Sequence, residues 1–318
     1  MSDQNNNWER GVLEKLALSA LQEQRRARHW GIFFKTLTFG YLFLVLFMFM
    51  GWMGGGHDST LSTGKHTALV DLQGVIASDT AASADNLIPS LQDAFEDKGT
   101  VGVILRINSP GGSPVQAGQI NDEIRRLRAK YPSIPLYVVV EDICASGGYY
   151  IAAAADKIFV DKASLIGSIG VLMDGFGFTG TMQKLGVERR LITAGTNKGM
   201  LDPFSPAVPE QQQYIKQMLT EIHQQFIDVV KQGRGARLKE TPDTFSGLVW
   251  NGQQGVEIGL ADGFGSLESV ARDVIKEENI VDFTMKDNFA DRLAKRFGAG
   301  VASALPGFAM QGNGVNLR

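Results

Sequence analysis

The sequence holds a single cysteine, Cys144, in 318 residues. That excludes an intrachain disulfide framework and a cysteine-based zinc site, and it leaves the redox compartment unreadable from cysteine usage. Histidine is nearly as scarce, with His29, His57, His66 and His223 as the whole supply. An excess of positive charge is missing too. Lysine and arginine total 31 against 34 aspartates and glutamates, a net charge of −3, and no basic stripe with interleaved aromatics occurs, which argues against nucleic acid as a partner. There is no heptad array and no fixed-period repeat, so the part that carries chemistry is expected to be one compact domain.

Charge disappears altogether from "TLTFGYLFLVLFMFMGWM", residues 36 to 53, a run of the length a helix needs to cross a bilayer. Arg25, Arg26 and Arg28 precede it, whereas only Asp58 and Lys65 are charged in the flank that follows. The positive-inside rule puts the N-terminus in the cytoplasm and everything after residue 56 outside it. Trp30 and Trp52 stand where interfacial aromatics belong. A cleaved signal peptide would have a shorter basic region and a small-residue cleavage site, and a buried soluble helix is rarely apolar on every face. The expected layout is a cytoplasmic segment (1–30), a transmembrane anchor (31–56), a glycine-rich linker (57–66), a catalytic domain (67–295) and a flexible tail (296–318).

Within the domain, β-branched runs at 67–76, 101–107, 135–141, 157–161 and 187–194 predict strands, and helical spacing at 84–97, 113–130, 147–155 and 207–232 predicts helices. Such alternation implies an α/β fold with a mostly parallel sheet.

Two glycine elements sit at strand-to-helix junctions. In "EDICASGGYYIAAAAD" (141–156), Ser146 falls between a strand and a helix, where backbone N–H groups and the helix dipole favour negative charge. It reads as a nucleophile or as a plain N-cap. The stretch is not the G-x-S-x-G elbow of α/β-hydrolases, because Cys144 stands where the first glycine would be. In "LRINSPGGSP" (105–114), Gly111 and Gly112 either make a tight turn or offer N–H groups to a carbonyl oxygen. An oxyanion hole of that kind contributes about 3–4 kcal/mol per donor.

A base is harder to find. No histidine lies in a loop near Ser146, which leaves a Ser-His-Asp triad without its middle member. Lysine serves if burial lowers its pKa toward neutrality. Lys157, Lys162, Lys184 and Lys198 are candidates, of which Lys198, in a loop of small residues with Asp202 as its charged neighbour, leads. Cys144 reads as a small buried filler. Arg106 and Asp142, near the glycine loops, either orient backbone or bridge subunits.

"INSPGGS", "ASGGYYIA", "LIGSIGV" and "GTNKGMLDPF", in this order, resemble the signal peptide peptidase SppA family of membrane-anchored serine peptidases over about residues 65–270. The resemblance implies a ClpP/crotonase-like α/β domain of repeated β-β-α units. It also implies a Ser-Lys dyad of Ser146 and Lys198, with Ser168 orienting the lysine and Gly111, Gly112 and Gly147 forming the oxyanion hole. No metal or cofactor is expected. Long members of the family are tandem duplications; this single copy matches the short ring-forming members, such as octamers, in which Lys198 reaches Ser146 of a neighbouring subunit. Substrates are then short apolar peptides such as cleaved signal peptides, handled on the outer face of a bacterial cytoplasmic membrane. The alternatives are a crotonase-like acyl-CoA enzyme, which needs no Ser-Lys pair, and a non-enzymatic oligomeric membrane scaffold.

Overall fold

A computed structural model describes residues 25–26, 28–47 and 64–285. Helix α1 (Arg28–Phe47) is 20 residues long, about 30 Å at 1.5 Å per residue, which is the thickness of a bilayer core. Its side chains are exposed all round, and the Thr36 and Thr38 hydroxyls donate back to the carbonyls of Ile32 and Phe34 at 2.6 and 2.8 Å. Polar groups satisfied inside the helix are what a lipid environment demands. The continuous helical span begins at Arg28, three residues before the expected anchor; positions 48–56, Trp52 among them, and the expected tail lie outside the described residues.

Residues 64–285 build the α/β part. Strand β1 (His66–Gln73) is followed by α2 (Ala84–Glu96), β2 (Thr100–Ser109), α3 (Pro114–Lys130), β3 (Leu136–Ala145), α4 (Gly147–Ala152) and β4 (Lys157–Val160). After them come β5 (Leu165–Gly167), α5 (Thr179–Leu185), the long α6 (Pro209–Arg234), β6 (Val249–Asn251), α7 (Gly252–Glu257), β7 (Gly263–Phe264), a helical turn α8 (Leu267–Ser269) running into a π-helical stretch, and β8 (Ile280–Asp282). The sheet runs β6-β5-β3-β2-β1-β8, with β4 on β3 and β7 on β4; β6 is antiparallel to β5, and every other pairing is parallel. Strands buried on both faces explain the unbroken apolar runs of β1 to β3, since a parallel sheet is covered on each side. The larger core lies under α2, α3, α4 and α6. A smaller one, with Leu69, Ile104, Val139 and Phe159, covers the opposite face.

Strand β3 is the hinge of the architecture. Val140 lies opposite Ile107 but Cys144 opposite Ser109, so four steps along β3 answer two along β2. The surplus at Glu141–Ile143 turns β3 from its first neighbour, β4, to its second, β5. Just there Arg106 forks onto Asp71 with two 2.6 Å bonds and meets Glu141, while Asn108 donates to Asp142 at 3.2 Å. Arg106 and Asp142 therefore tie strand ends together within the chain.

Three expectations need correcting. The strand placed at 135–141 continues to Ala145, leaving Ser146 as the one residue between strand and helix, and the helix placed at 147–155 ends at Ala152. The strand placed at 187–194 is irregular and exposed, with Ile192 at 95 % exposure. Its β-branched residues satisfy propensity, but no neighbouring strand offers it a ladder, and propensity without pairing does not hold a strand.

Candidate active site

Ser146 occupies the junction between β3 and α4 with φ 51° and ψ −122°, a backbone conformation that costs a non-glycine residue about 1–3 kcal/mol. Its N–H donates to the Gly167 carbonyl at 2.8 Å. The plain N-cap reading fails, because the Ser146 side chain makes no capping hydrogen bond. Strain without a capping benefit leaves a half-buried hydroxyl that no described neighbour engages.

The two glycine elements meet at this serine. Gly111, at φ 100°, lies so close that a Cβ built on it would fall 2.7 Å from the Ser146 Cβ and 2.8 Å from the Gly147 nitrogen. Only glycine fits there. A Cβ on Gly147 would stand 3.3 Å from the Gly112 nitrogen, so these two backbone N–H groups lie side by side. The Gly111 N–H is already committed to Ser109 Oγ at 3.1 Å. Those of Gly112 and Gly147 have no acceptor among the described residues.

Ser168 is the counterpart of Ser146 one strand away. In the parallel pair of β3 and β5, Ala145 lies opposite Gly167, so the two serines follow at the same height. Ser168 also takes a left-handed backbone, φ 50°, with its N–H donating to the Leu248 carbonyl at 2.8 Å. Gly167, at φ 98°, leaves room for the Trp250 indole, whose Cδ1 would sit 2.9 Å from a Cβ there.

Lys198 is elsewhere. It sits in an exposed turn whose N–H donates to the Gly195 carbonyl at 3.1 Å, and its ammonium has no partner among the described residues. Asp202, expected beside it, instead accepts from Ser205 at 2.6 Å and pairs with Arg189 at 3.3 Å; the Ser205 hydrogen bond, with that of Arg189, holds its carboxyl below the ordinary aspartate range. The turn belongs to an arm, residues 171–208, whose apolar side chains face outward, Leu172 at 80 % and Phe176 at 79 % exposure. One copy of the chain thus brings together Ser146, Ser168, Gly111, Gly112 and Gly147, and leaves Lys198 apart.

The other candidates resolve simply. Lys157 and Lys162 are solvated at the ends of β4. Cys144 is fully buried, and burial pushes its thiol pKa well up, away from thiolate chemistry. His66 is buried at the start of β1 beside Thr100, at the end of the sheet opposite Ser146. His223 is half-buried, with Nε2 3.0 Å from the Ile169 carbonyl, a contact that sequence spacing does not reveal.

Residues 128–281 match the model of Peptidase family S49, a span that includes Ser146, Ser168 and Lys198. A protein of Brucella melitensis named Na(+)/H(+) antiporter NhaA is 48% identical over 182 residues, 57% of this chain and 25% of its own length; the chain thus spans about a quarter of that relative. The Enterococcus faecium protein named putative signal peptide peptidase SppA is 32% identical over 240 residues, 72% of this chain and 69% of its own. Among solved structures, a membrane-bound stomatin-specific protease, as a mutant in complex with a substrate peptide, aligns over 74% of this chain and 99% of its own with TM-score 0.42 and 15% identity. With the family model spanning Ser146, and an SppA relative matched over more than two thirds of its length, the chain belongs to peptidase family S49.

Proposed function

We propose that the protein is a membrane-anchored serine endopeptidase that degrades short apolar peptides, such as cleaved signal peptides, with a Ser146–Lys198 dyad assembled between neighbouring copies in a ring. The observation that carries this reading is the meeting of an uncapped, left-handed Ser146 with the Gly111–Gly112 loop.

A neutral Lys198 amine takes the Ser146 proton as Oγ attacks the scissile carbonyl. The Gly112 and Gly147 N–H groups receive the negative charge that develops on the carbonyl oxygen, and Gly111 supplies the clearance that lets the loop approach. As the C–N bond breaks, the lysine ammonium returns its proton to the leaving amine, which departs and leaves an acyl-enzyme on Ser146. Water, deprotonated by the same amine, attacks the ester, and Ser146 recovers its proton. Ser168 suits the orienting role because a hydroxyl accepts from the amine without adding a charge that would raise its pKa.

Supply of the lysine by a neighbour is supported by the exposed turn that carries Lys198 and by the outward apolar side chains of its arm, since such side chains call for a partner surface. The anchor reading rests on α1; with Arg25 and Arg26 ahead of it and Arg28 at its first position, the N-terminus lies in the cytoplasm and the catalytic domain on the outer side of a bacterial cytoplasmic membrane.

Complementation tests the whole scheme. Full-length Ser146→Ala and Lys198→Ala, purified in detergent, are each expected to be inactive on an apolar fluorogenic peptide. Mixed and reassembled, they are expected to regain activity at about a quarter of the sites, the random-pairing limit for a shared interface. Two dead variants without rescue would keep the dyad within one subunit, an active Lys198→Ala would remove Lys198 as the base, and an active Ser146→Ala would end the peptidase reading.

A further inference from the structure

Ser168 is held in a left-handed conformation that persists only where the surroundings over-determine it. One side is plain: its own N–H is tied to Leu248, Gly167 rests on Trp250, and a Cβ on Gly170 would meet the Gly247 Cα at 3.2 Å. All of those restraints come from the segment leading into β6. A further restraint comes from α6, through His223. Its Nε2 lies 3.0 Å from the carbonyl of Ile169, the residue directly after Ser168.

A carbonyl only accepts, so Nε2 carries the hydrogen and the neutral ring has its lone pair on Nδ1. No described residue hydrogen-bonds to Nδ1, so Nε2 alone fixes the ring on the Ser168 turn. Ile169 itself is fully buried, and its carbonyl would lose its donor if the imidazole were removed.

The same helix also meets the arm. Gln211, Ile215 and Leu219 precede His223 at steps of four residues, which puts all four on one face. The first three line a cavity of about 730 Å³ together with Gly199 and Leu201, from the lysine turn. One helix face therefore touches both the turn next to Lys198 and the turn of Ser168.

We propose that His223 is a positioning residue: by donating to Ile169 it fixes the Ser168 turn, and through Ser168 it sets the direction of the lysine amine. The inference rests on the dyad reading above and adds a residue to it. It gives a histidine to a lysine-dependent site without making it the base, because the nitrogen facing the site is the protonated one.

The test is a double-mutant cycle on the full-length protein with an apolar fluorogenic peptide. His223→Leu is expected to lower kcat about 10-fold with KM changed less than about 2-fold, and His223→Gln, whose carboxamide can donate to the same carbonyl, to recover most of the loss. In a Ser168→Ala background, His223→Leu is expected to cost almost nothing more, since the residue it acts through is gone. A merely structural histidine would cost the same in both backgrounds and would lower the melting temperature in step. Equal losses in both backgrounds, or full activity of His223→Leu, would overturn the proposal. Ser146→Ala is run alongside: activity surviving in that control would bring down the dyad reading and this inference with it, whereas a dead control with an indifferent His223 would sink the inference alone.

Discussion

The Ser146 corner and the Lys198 arm belong to the same compact unit but are built on opposite principles. Around Ser146 every neighbour is fixed: β3 carries it, Gly111 abuts it, and α4 behind it is wedged in the core, with the buried Tyr149 hydroxyl donating to the Leu260 carbonyl at 2.7 Å. Around Lys198 the turn is held by local hydrogen bonds, but its ammonium has no partner among the described residues and the apolar side chains of the arm point outward. A serine needs a rigid strained perch that one subunit can supply. The arm has the composition of an interface without the contacts of one, which is why the missing contacts are sought in a second copy.

The sharpest way to break this contrast is at the serine. Ser146→Ala is expected to lower turnover by about three orders of magnitude or more while the melting temperature holds or rises, because alanine removes the hydroxyl and leaves the scaffold intact; a fluorophosphonate probe should cease to label it. A large fall in melting temperature would mean that Ser146 is structural.

Next comes a clamp at the start of β4, the end of the sheet away from Ser146. Arg234, 1 % exposed, donates to the Gly259 carbonyl and to Asp262, both at 2.8 Å, and Asp262 also accepts from the Ile158 N–H. Arg234→Met leaves the half-buried Asp262 carboxylate with only Arg237 as its charged partner and is expected to destabilise the body by about 3 kcal/mol, read by urea unfolding of the α/β unit. The pH dependence follows. Burial raises the Asp262 pKa, but the Arg234 hydrogen bond and charge, the Ile158 N–H and Arg237 together hold it below its ordinary value. Its contribution is therefore complete above about pH 4, the unfolded value, and is lost as the pH falls further through the folded value. Stability that is flat from neutrality down to strong acid would contradict it.

Gly111→Ala probes the perch from the other side. The added methyl meets the Ser146 Cβ and the Gly147 nitrogen, and φ 100° is hostile to any side chain. Turnover is expected to drop about 100-fold, with KM less affected; near-normal turnover would show that the loop does not approach the substrate.

On the arm the effects should move to assembly. Ile192→Ser, at a position 95 % exposed, is expected to leave unfolding of the body within about 0.5 kcal/mol of wild type while lowering the oligomer population in analytical ultracentrifugation and activity along with it. Unchanged assembly and activity would make that side chain idle surface. Smallest of all is Cys144→Ala, expected to cost about 1 kcal/mol from the lost volume with activity kept; loss of activity in a folded variant would give the thiol a role its burial does not suggest.

How much of this the sequence tells depends on the range of the interaction. The strands at the start of the domain are legible because each carries a continuous apolar run of its own, and α3 because Ser113 and Pro114 mark its start. The Ser146 and glycine elements are legible as motifs, since strand-to-helix junctions rich in glycine are local. Strands β5 to β8 are too short, two or three residues each, to carry a period, and exist only through pairing. The extension of β3 past Glu141 depends on a bulge that no local pattern announces. His223 and Trp250 reach the site across 54 and more than 80 residues of chain respectively, so nothing in their own neighbourhood points there. Lys198 is singled out by its loop of small residues and by the resemblance; its place beside Asp202 in sequence does not become an ion pair in space.

The matched heights of Ser146 and Ser168 have an evolutionary corollary. What sets the second serine opposite the first is strand register, not the length of chain between them: β5 hydrogen-bonds to β3 with Ala145 facing Gly167, and the loop at residues 161–164 only has to reach. Insertions there can accumulate as long as β5 docks in phase, whereas a single-residue slip of β5 turns Ser168 to the other side of the sheet. On the dyad reading, copies of this fold with impaired turnover are expected to arise by such phase errors as well as by loss of Ser146, and they would keep every motif.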